Sequence, residues 1–360
     1  MTDQRPTVGA ARLAAAREEF EAETVYLNTA SLGLPPRRTM DAVTTALDDW
    51  RRGVADAAGY DVAVEASRRD YARLVGVEPS WVALGSQVSA LVGLVATSLP
   101  AGSEVLTATG DFTSVLFPFL ARAGRGVTVR EAPLEALADA VTSSTTLVAV
   151  SVVQSADGRI ADLDALVAAC DAVGAKTLVD TTQSTGWLPV DASRFTYTTG
   201  GGYKWLLAPR GTAFLTIAPG HRDDLVPVAA GWYAGEERWS SIYGSPLRLA
   251  ADARRFDVSP AWHSWVGQAA SLEFLLEVGV PALHAHATTM AHRFCTAVGL
   301  PWSGSAIVSA AADDAVPDLL RAARIVAATR AGRLRLAFHV STSVSDVDRA
   351  AEVLAGHLTV

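Results

Sequence analysis

Lysine is all but missing from this 360-residue chain: of its 30 basic side chains only two, Lys176 and Lys204, are not arginine. Arginine keeps its charge and cannot condense with an aldehyde, whereas an amine in a cleft can lose its proton and attack a carbonyl. The two surviving lysines therefore stand out. Lys176 opens a strand pattern and reads as ordinary. Lys204 lies in Gly-Gly-Gly-Tyr-Lys-Trp-Leu-Leu-Ala-Pro-Arg-Gly, downstream of Asp-Thr-Thr-Gln-Ser-Thr-Gly, and reads as chemical. Cysteine is equally scarce. Cys170 and Cys295 alone exclude a disulfide framework and a cysteine-based zinc site, and they suit a reducing compartment. Apolar runs such as Leu147 to Val153 are strand-sized, well short of the roughly 20 residues that cross a bilayer. The opening Met-Thr-Asp-Gln-Arg-Pro has no apolar signal core, so a soluble, cytoplasmic protein with no membrane partner is expected. Positive charge is in deficit as well. A net charge of -8 and a pI near 5.4 argue against a nucleic-acid partner, which needs a basic patch. A small-molecule substrate is expected instead.

Half the residues are hydrophobic, enough for a large core in a chain of this length. From about residue 80 to 218 short β-rich runs alternate with helical segments, the pattern of βαβ units around a mostly parallel sheet covered on both faces. The strands read as Trp81 to Leu84, Glu104 to Ala108, Gly126 to Arg130, Thr146 to Val152, Lys176 to Val179 and Phe195 to Thr198, with Gly211 to Ile217 as an added, antiparallel one. Between the fourth and fifth, Asp162 is an N-cap, Leu163, Leu166 and Val167 share a face, and Gly174 stops the helix. Helices are also expected near Thr39 to Arg52 and Tyr60 to Leu74, a long loop from Pro227 to Pro246, and one long helix from about Ala261. Ala310 to Ala315 reads as composition without a message. The expected organisation is α/β: an N-terminal arm over 1–35, a large domain over 36–245 and a smaller α+β C-terminal domain over 246–360.

In an open α/β sheet, ligands sit beyond the carboxyl ends of the strands. Asp180 ends the strand Thr177-Leu178-Val179 there, Gln183 follows, and Lys204 comes one strand later. A carboxylate in this place also serves as a salt bridge or a cap, but the ordered set Asp, Gln, Lys describes a site for pyridoxal phosphate. The lysine condenses with its aldehyde, the carboxylate keeps its ring nitrogen protonated, and the amide donates to its phenolic oxygen. The phosphate needs backbone donors at a helix N-terminus. Gly85-Ser86-Gln87-Val88-Ser89 opens an apolar helix after the first strand, making Ser86, Gln87 and Val88 candidates, although ordinary capping has the same look. Phe112, just past the second strand, can stack on the pyridine ring or belong to the core.

These residues resemble the class V aminotransferases, the cysteine desulfurase-like branch of fold-type I pyridoxal phosphate enzymes, over nearly the whole chain. Leu27-Asn28-Thr29-Ala30-Ser31-Leu32-Gly33 is similar to the family's arm at the active-site entrance, and Asp180 to Gly186 with Pro189-Val190-Asp191 to its cofactor strand and turn. Tyr203-Lys204-Trp205-Leu206 with Pro209-Arg210-Gly211 is similar to its lysine motif. Arg255-Phe256-Asp257 with Ser259-Pro260 resembles the segment that sends a hydroxyl to the phosphate of the neighbouring subunit. Arg335-Leu-Ala-Phe-His339, with Asp346 and Asp348 beyond, resembles the strand whose arginine binds the substrate carboxylate. The resemblance implies a homodimer acting on an amino acid, with Asn28 and Arg335 at the substrate and Tyr203 and Ser259 at the phosphate. There are departures: Tyr203 stands where histidine is common, the Ser259 segment is one residue short, and Arg333 competes with Arg335.

A desulfurase needs a mobile loop cysteine, whereas Cys170 and Cys295 both fall in helical patterns, where cysteine is usually inert packing. Beta-elimination, transamination and epimerisation remain. The arm asparagine, the missing loop cysteine and the histidine after Arg335 look most like the ergothioneine-type C–S lyases and the isopenicillin N epimerase-like group, so C–S cleavage in a cysteine S-conjugate is the leading expectation. Trp232, Tyr233, Trp239 and Tyr243 line a pocket or pack an interface. Other classes fare worse. His284, His286 and His292 invite a metal but two of them leave their helix on different sides, and no Gly-x-Gly-x-x-Gly follows the first strand. A noncatalytic binding protein of this fold would be expected to have lost Lys204.

Overall fold

The alternation between residues 80 and 218 folds into a seven-stranded sheet in the computed structural model, which describes residues 8–360; the opening segment 1–6 lies outside it. The chain runs α1 (Val8–Arg17), β1 (Val25–Tyr26), α2 (Arg37–Arg51), α3 (Asp61–Val75), β2 (Val82–Gly85), α4 (Val88–Ser98), β3 (Glu104–Ala108), α5 (Thr113–Leu120), β4 (Thr128–Ala132), β5 (Thr145–Ser151), α6 (Leu163–Val173), β6 (Lys176–Asp180), β7 (Tyr197–Gly201) and β8 (Ala213–Ile217). It continues through α7 (Trp262–Val278), α8 (Val280–Val298), β9 (Ile307–Ala312), α9 (Val316–Ala323), β10 (Ile325–Val326), β11 (Ala328–Arg330), β12 (Arg333–Ala337), α10 (Val344–Leu354) and β13 (Leu358–Thr359).

The large sheet has the order β2-β8-β7-β6-β5-β3-β4, and β8 alone runs against its neighbours. Leu147, Val148, Ala149 and Val150 of β5 are wholly buried, as expected where helices cover both faces of a parallel sheet. The register pairs Ser151 with Asp180 and Asp180 with Thr199, bringing three polar side chains to one carboxyl edge. α6 is bounded as its sequence implies: Asp162 accepts from Ala165 N–H and Gly174 takes φ 71°. Three strands, β4, β7 and β8, start two residues later than their sequence patterns suggest, while β2 and β5 start within one residue. β4 begins two residues later because Gly126 closes a 3-10 turn at φ 84°. β7 is displaced toward Gly201 because Asp191 caps the turn Ala192–Arg194 and holds the chain out of the sheet.

The helix expected from Ala261 is also two helices, α7 and α8, bent by 83° at Gly279 with Pro281 in the first turn of α8. α7 packs against α2 and α3, while α8 packs with α10 and β9. Ala310 to Ala312, without a message in the sequence, belong to β9, which lies in a second, antiparallel sheet of order β11-β12-β9-β13. The arm joins the two layers. β1 pairs with β10, Asn28 bridges Ala337, and Gly33 N–H donates to Tyr203 O at 2.9 Å. A Cβ at Gly33 would stand 2.0 Å from Lys204 O, so only glycine lets the arm lie this close to the lysine. Among the described residues no single helix is long and apolar enough to cross a membrane.

Candidate active site

A cleft of about 90 Å³ opens at the carboxyl ends of β5, β6 and β7, and Asp180, Gln183, Tyr203 and Lys204 all line it. Ser86, Gln87 and Val88 form another wall and Phe112 a third. Lys204 sits in the turn after β7, 5% exposed. That turn is tight: Leu207 N–H donates to Lys204 O, Leu207 has φ 59°, and Ser271 Oγ donates to Leu207 O at 3.1 Å. A non-glycine residue in the left-handed region is strained, and strain of this kind persists only where packing enforces it.

Burial sets the electrostatics. It brings the Lys204 amine down to about 8, against the attraction of Asp180 and with the help of Arg335, Arg330 and Arg210. It pushes the Asp180 carboxyl up to about 6, opposed by Thr182, whose N–H donates to Oδ1 at 2.8 Å, and by Lys204. An amine that sheds its proton near neutrality is a nucleophile and a base, and a buried carboxylate with one oxygen free of protein donors is suited to a cationic N–H. Lys176, in contrast, pairs with Asp224 at 2.7 Å at the far end of β6.

The Ser86 to Ser89 segment meets α4 with no side chain capping the helix, which leaves its first N–H groups and its dipole for an anion. The Phe112 ring lies 5.2 Å and the Tyr203 ring 5.6 Å from Lys204 Nζ. Arg210 also lies over the Tyr203 ring, 5.1 Å from its centroid. Phe112 is held by Asp111, a buried carboxylate that accepts from Phe112 N–H, Ser151 N–H and Oγ, and Gln154 Nε2. Sequence reasoning missed Asp111, although it directly precedes the aromatic residue at the end of β3. It also missed Arg210, Thr182 and Ser155, the last of which lies beyond the carboxyl end of β5.

Gln183 is firmly oriented. Its Oε1 accepts from Trp205 Nε1 at 2.7 Å, and since indole only donates, the amide cannot be reversed. Nε2 donates to Ala30 O and to Ser155 Oγ at 2.9 and 3.0 Å, so donation to a ligand oxygen requires the serine contact to yield. Arg335, 1% exposed, donates from Nη1 to Ser155 O and Oγ and from Nη2 to Ser31 Oγ, while its Nε is buried without a partner. Asn28 Oδ1 is likewise buried and unpartnered. Arg333 instead bonds Ser309. Ser259 is exposed on the loop after Asp257 and does not line the cleft of its own chain.

The remaining candidates lie elsewhere. Trp232, Tyr233 and Trp239 pack together, with Tyr233 Oη and Trp239 Nε1 donating to Asp61; Tyr243 is exposed, and none of the four lines the cleft. His284 stacks on Trp187, His286 bonds Thr342 O and His292 stacks on Trp302. Both cysteines are buried, and burial pushes each thiol up to about 11.

The sequence pattern of the family Aminotransferase class-V matches residues 25–298. The chain belongs to that family. It is 32% identical over 289 residues to isopenicillin N epimerase of Streptomyces clavuligerus, covering 72% of this chain and 71% of that protein. An uncharacterized aminotransferase of Bacillus subtilis, YcbU, is 28% identical over 312 residues, 81% of this chain and 83% of the relative. A solved structure of the cystine C–S lyase C-DES with its product cysteine persulfide superposes with a TM-score of 0.84 at 22% identity, covering 93% of this chain and 98% of that one, and shares the fold. This class V enzyme thus has the fold-type I architecture and uses pyridoxal phosphate. Its residues fit that cofactor: a perturbed amine, a buried carboxylate with a free oxygen, an aromatic wall and an uncapped helix N-terminus meet in one cleft.

Proposed function

We propose that this class V enzyme cleaves the C–S bond of a cysteine S-conjugate by β-elimination, working as a cytoplasmic homodimer. Bound pyridoxal phosphate supplies a sink for the electron pair left when a proton departs the substrate Cα. Lys204 would hold the cofactor aldehyde and then move that proton from Cα at its Nζ. Asp180 would keep the ring nitrogen protonated, Gln183 would face the phenolic oxygen, and Ser86, Gln87 and Val88 would hold the phosphate, joined by Tyr203 and by Ser259 from a second copy. Arg335, whose Nε is buried without a partner, would grip the α-carboxylate through a bidentate fork, and Asn28 would accept from the substrate.

The observation that carries this reading is that Lys204 is the one amine among the residues lining the cleft. The other ionisable groups there are the deeply buried Asp180, Tyr203 beside Lys204, and Arg210. Elimination needs one base; inversion by two bases needs a second on the opposite face. Nor can either cysteine take up sulfur, since both thiols are buried and lifted to about 11. Two cysteines without a bridge suit the cytoplasm, and Met40, Leu47 and Trp50, exposed along α2, suit an interface between copies. Similarity to isopenicillin N epimerase favours epimerisation as the second reading.

The test gives purified holoenzyme a panel of cysteine S-conjugates and ordinary amino acids without any keto acid. Release of thiol, pyruvate and ammonia with the original cofactor spectrum restored supports elimination. Stoichiometric conversion to pyridoxamine phosphate means transamination, and loss of optical purity with solvent deuterium at Cα and no product means epimerisation; either outcome overturns the proposal.

A further inference from the structure

One guanidinium near the cleft has no task in the reading above. Arg330 ends β11 at the tip of the β11–β12 hairpin, where Ala331 and Gly332 turn the chain at φ 47° and 75°. Its side chain is exposed yet tied down, with Nη1 donating to Thr329 O at 2.8 Å and Nη2 to Ser31 Oγ at 3.1 Å. The same Ser31 oxygen accepts from Arg335 Nη2 at 2.7 Å. Two cations share one hydroxyl, and among the described residues neither meets a carboxylate. Elsewhere the exposed arginines commonly do: Arg159 pairs with Glu135, Arg194 with Asp164, Arg293 with Asp348.

Like charges side by side repel, more strongly as water is excluded, and that repulsion joins burial in bringing the Arg335 guanidinium down to about 10. An anion bound to both relieves it. One α-carboxylate fills one guanidinium fork, which leaves the second cation for a second anionic group. Arg330 stands on the arm side, bonded to Ser31 and close enough for its charge to act on Lys204, whereas Ser86 to Ser89 line the cleft before α4.

We propose that Arg330 is a specificity residue that binds a second carboxylate at the end of the substrate side chain, so that the preferred substrate is a dicarboxylic amino acid, such as a cysteine S-conjugate with a carboxyalkyl substituent. This rests on Arg335 as the anchor of the α-carboxylate. The test is calorimetric titration of holoenzyme with two inert probes, propionate and succinate, which needs no turnover. Succinate is expected to bind at least roughly tenfold tighter than propionate, the scale of one charge-assisted hydrogen bond. Arg330→Gln should bring the two acids to within about twofold, and Arg330→Lys should recover part of the preference because charge survives and the fork does not. Arg335→Gln should weaken both acids. Equal affinities in the parent protein, or an undiminished preference for succinate in Arg330→Gln, overturns the assignment. If neither acid binds, the Arg335 anchor falls and takes the inference with it. If the preference holds while no conjugate is cleaved, the lyase reading fails alone and Arg330 keeps its role. Arg330 is exposed at a hairpin tip, so an unchanged melting temperature will certify that the variants are folded.

Discussion

Replacing Lys204 by methionine is expected to stabilise the cofactor-stripped protein even though it removes the chemistry. The amine is 5% exposed, and burial brings it from an ordinary 10.5 to about 8, with three arginines adding to the effect and Asp180 opposing it. At 1.36 kcal/mol for each factor of ten, holding this charge at neutral pH costs the folded state about 3 kcal/mol. Below about 8 the amine is charged both folded and unfolded, and the cost is complete; it shrinks as pH rises and disappears above 10.5, where both states are neutral. Methionine is similar in length, apolar and adaptable. Part of the gain is offset because Asp180 loses its cation, although its carboxyl, already near 6, can take up a proton instead. A net gain of about 2 kcal/mol remains, which for a chain of this length is roughly 3 °C in melting temperature. Stripped parent and variant are compared by thermal melting at neutral pH and near pH 10. The variant should melt higher at neutral pH, and the gap should shrink by more than half at the alkaline end. A variant that melts lower at neutral pH, or a gap indifferent to pH, would refute the argument that burial of the charge sets the pKa.

Asp180→Ala should slow exchange of the substrate α-proton with deuterium oxide by roughly a hundredfold or more, the scale of one preorganised electrostatic contact; mass spectrometry of recovered substrate reads this, and unchanged exchange removes Asp180 from the site. Arg68→Met should cost about 3 to 5 kcal/mol in urea unfolding, because Asp257, fully buried and 2.6 Å from Arg68, is left without its cation; a loss under about 1 kcal/mol would show that Leu84 N–H alone satisfies that carboxylate. Converting both cysteines to alanine should leave turnover intact, and neither thiol should react with iodoacetamide in the native protein. An inactive double variant would return sulfur transfer through a cysteine to consideration.

Much of the fold was legible because local signals carried it. Short β-rich runs marked the central strands, Asp162 and Gly174 bounded a helix, and the scarcity of lysine singled out Lys204. Asp180 was found from its place at a strand end, which the parallel sheet turns into a place in the cleft. The misjudged elements share a cause. Gly126 and Asp191 shifted strand starts through turns whose geometry competes with strand propensity, and the apolar pattern on either side of Gly279 continues across a bend that only packing against two different partners produces.

By itself the sequence determined which chemistry the chain carries: an α/β sheet, one amine retained among arginines, a carboxylate one strand before it, and no thiol outside a helix. Tertiary structure decided how those groups behave. It committed both Gln183 protons to Ala30 and Ser155, buried Asp111 beside Phe112, and left Ser259 outside its own cleft. It also brought Arg330 and Arg335 onto Ser31, some 300 residues earlier in the chain. Periodicity and caps are written within a few residues of one another, so they can be read directly. The pKa of a buried amine and the meeting of two cations on a distant hydroxyl depend on which surfaces exclude water together, and that is settled only when the layers pack.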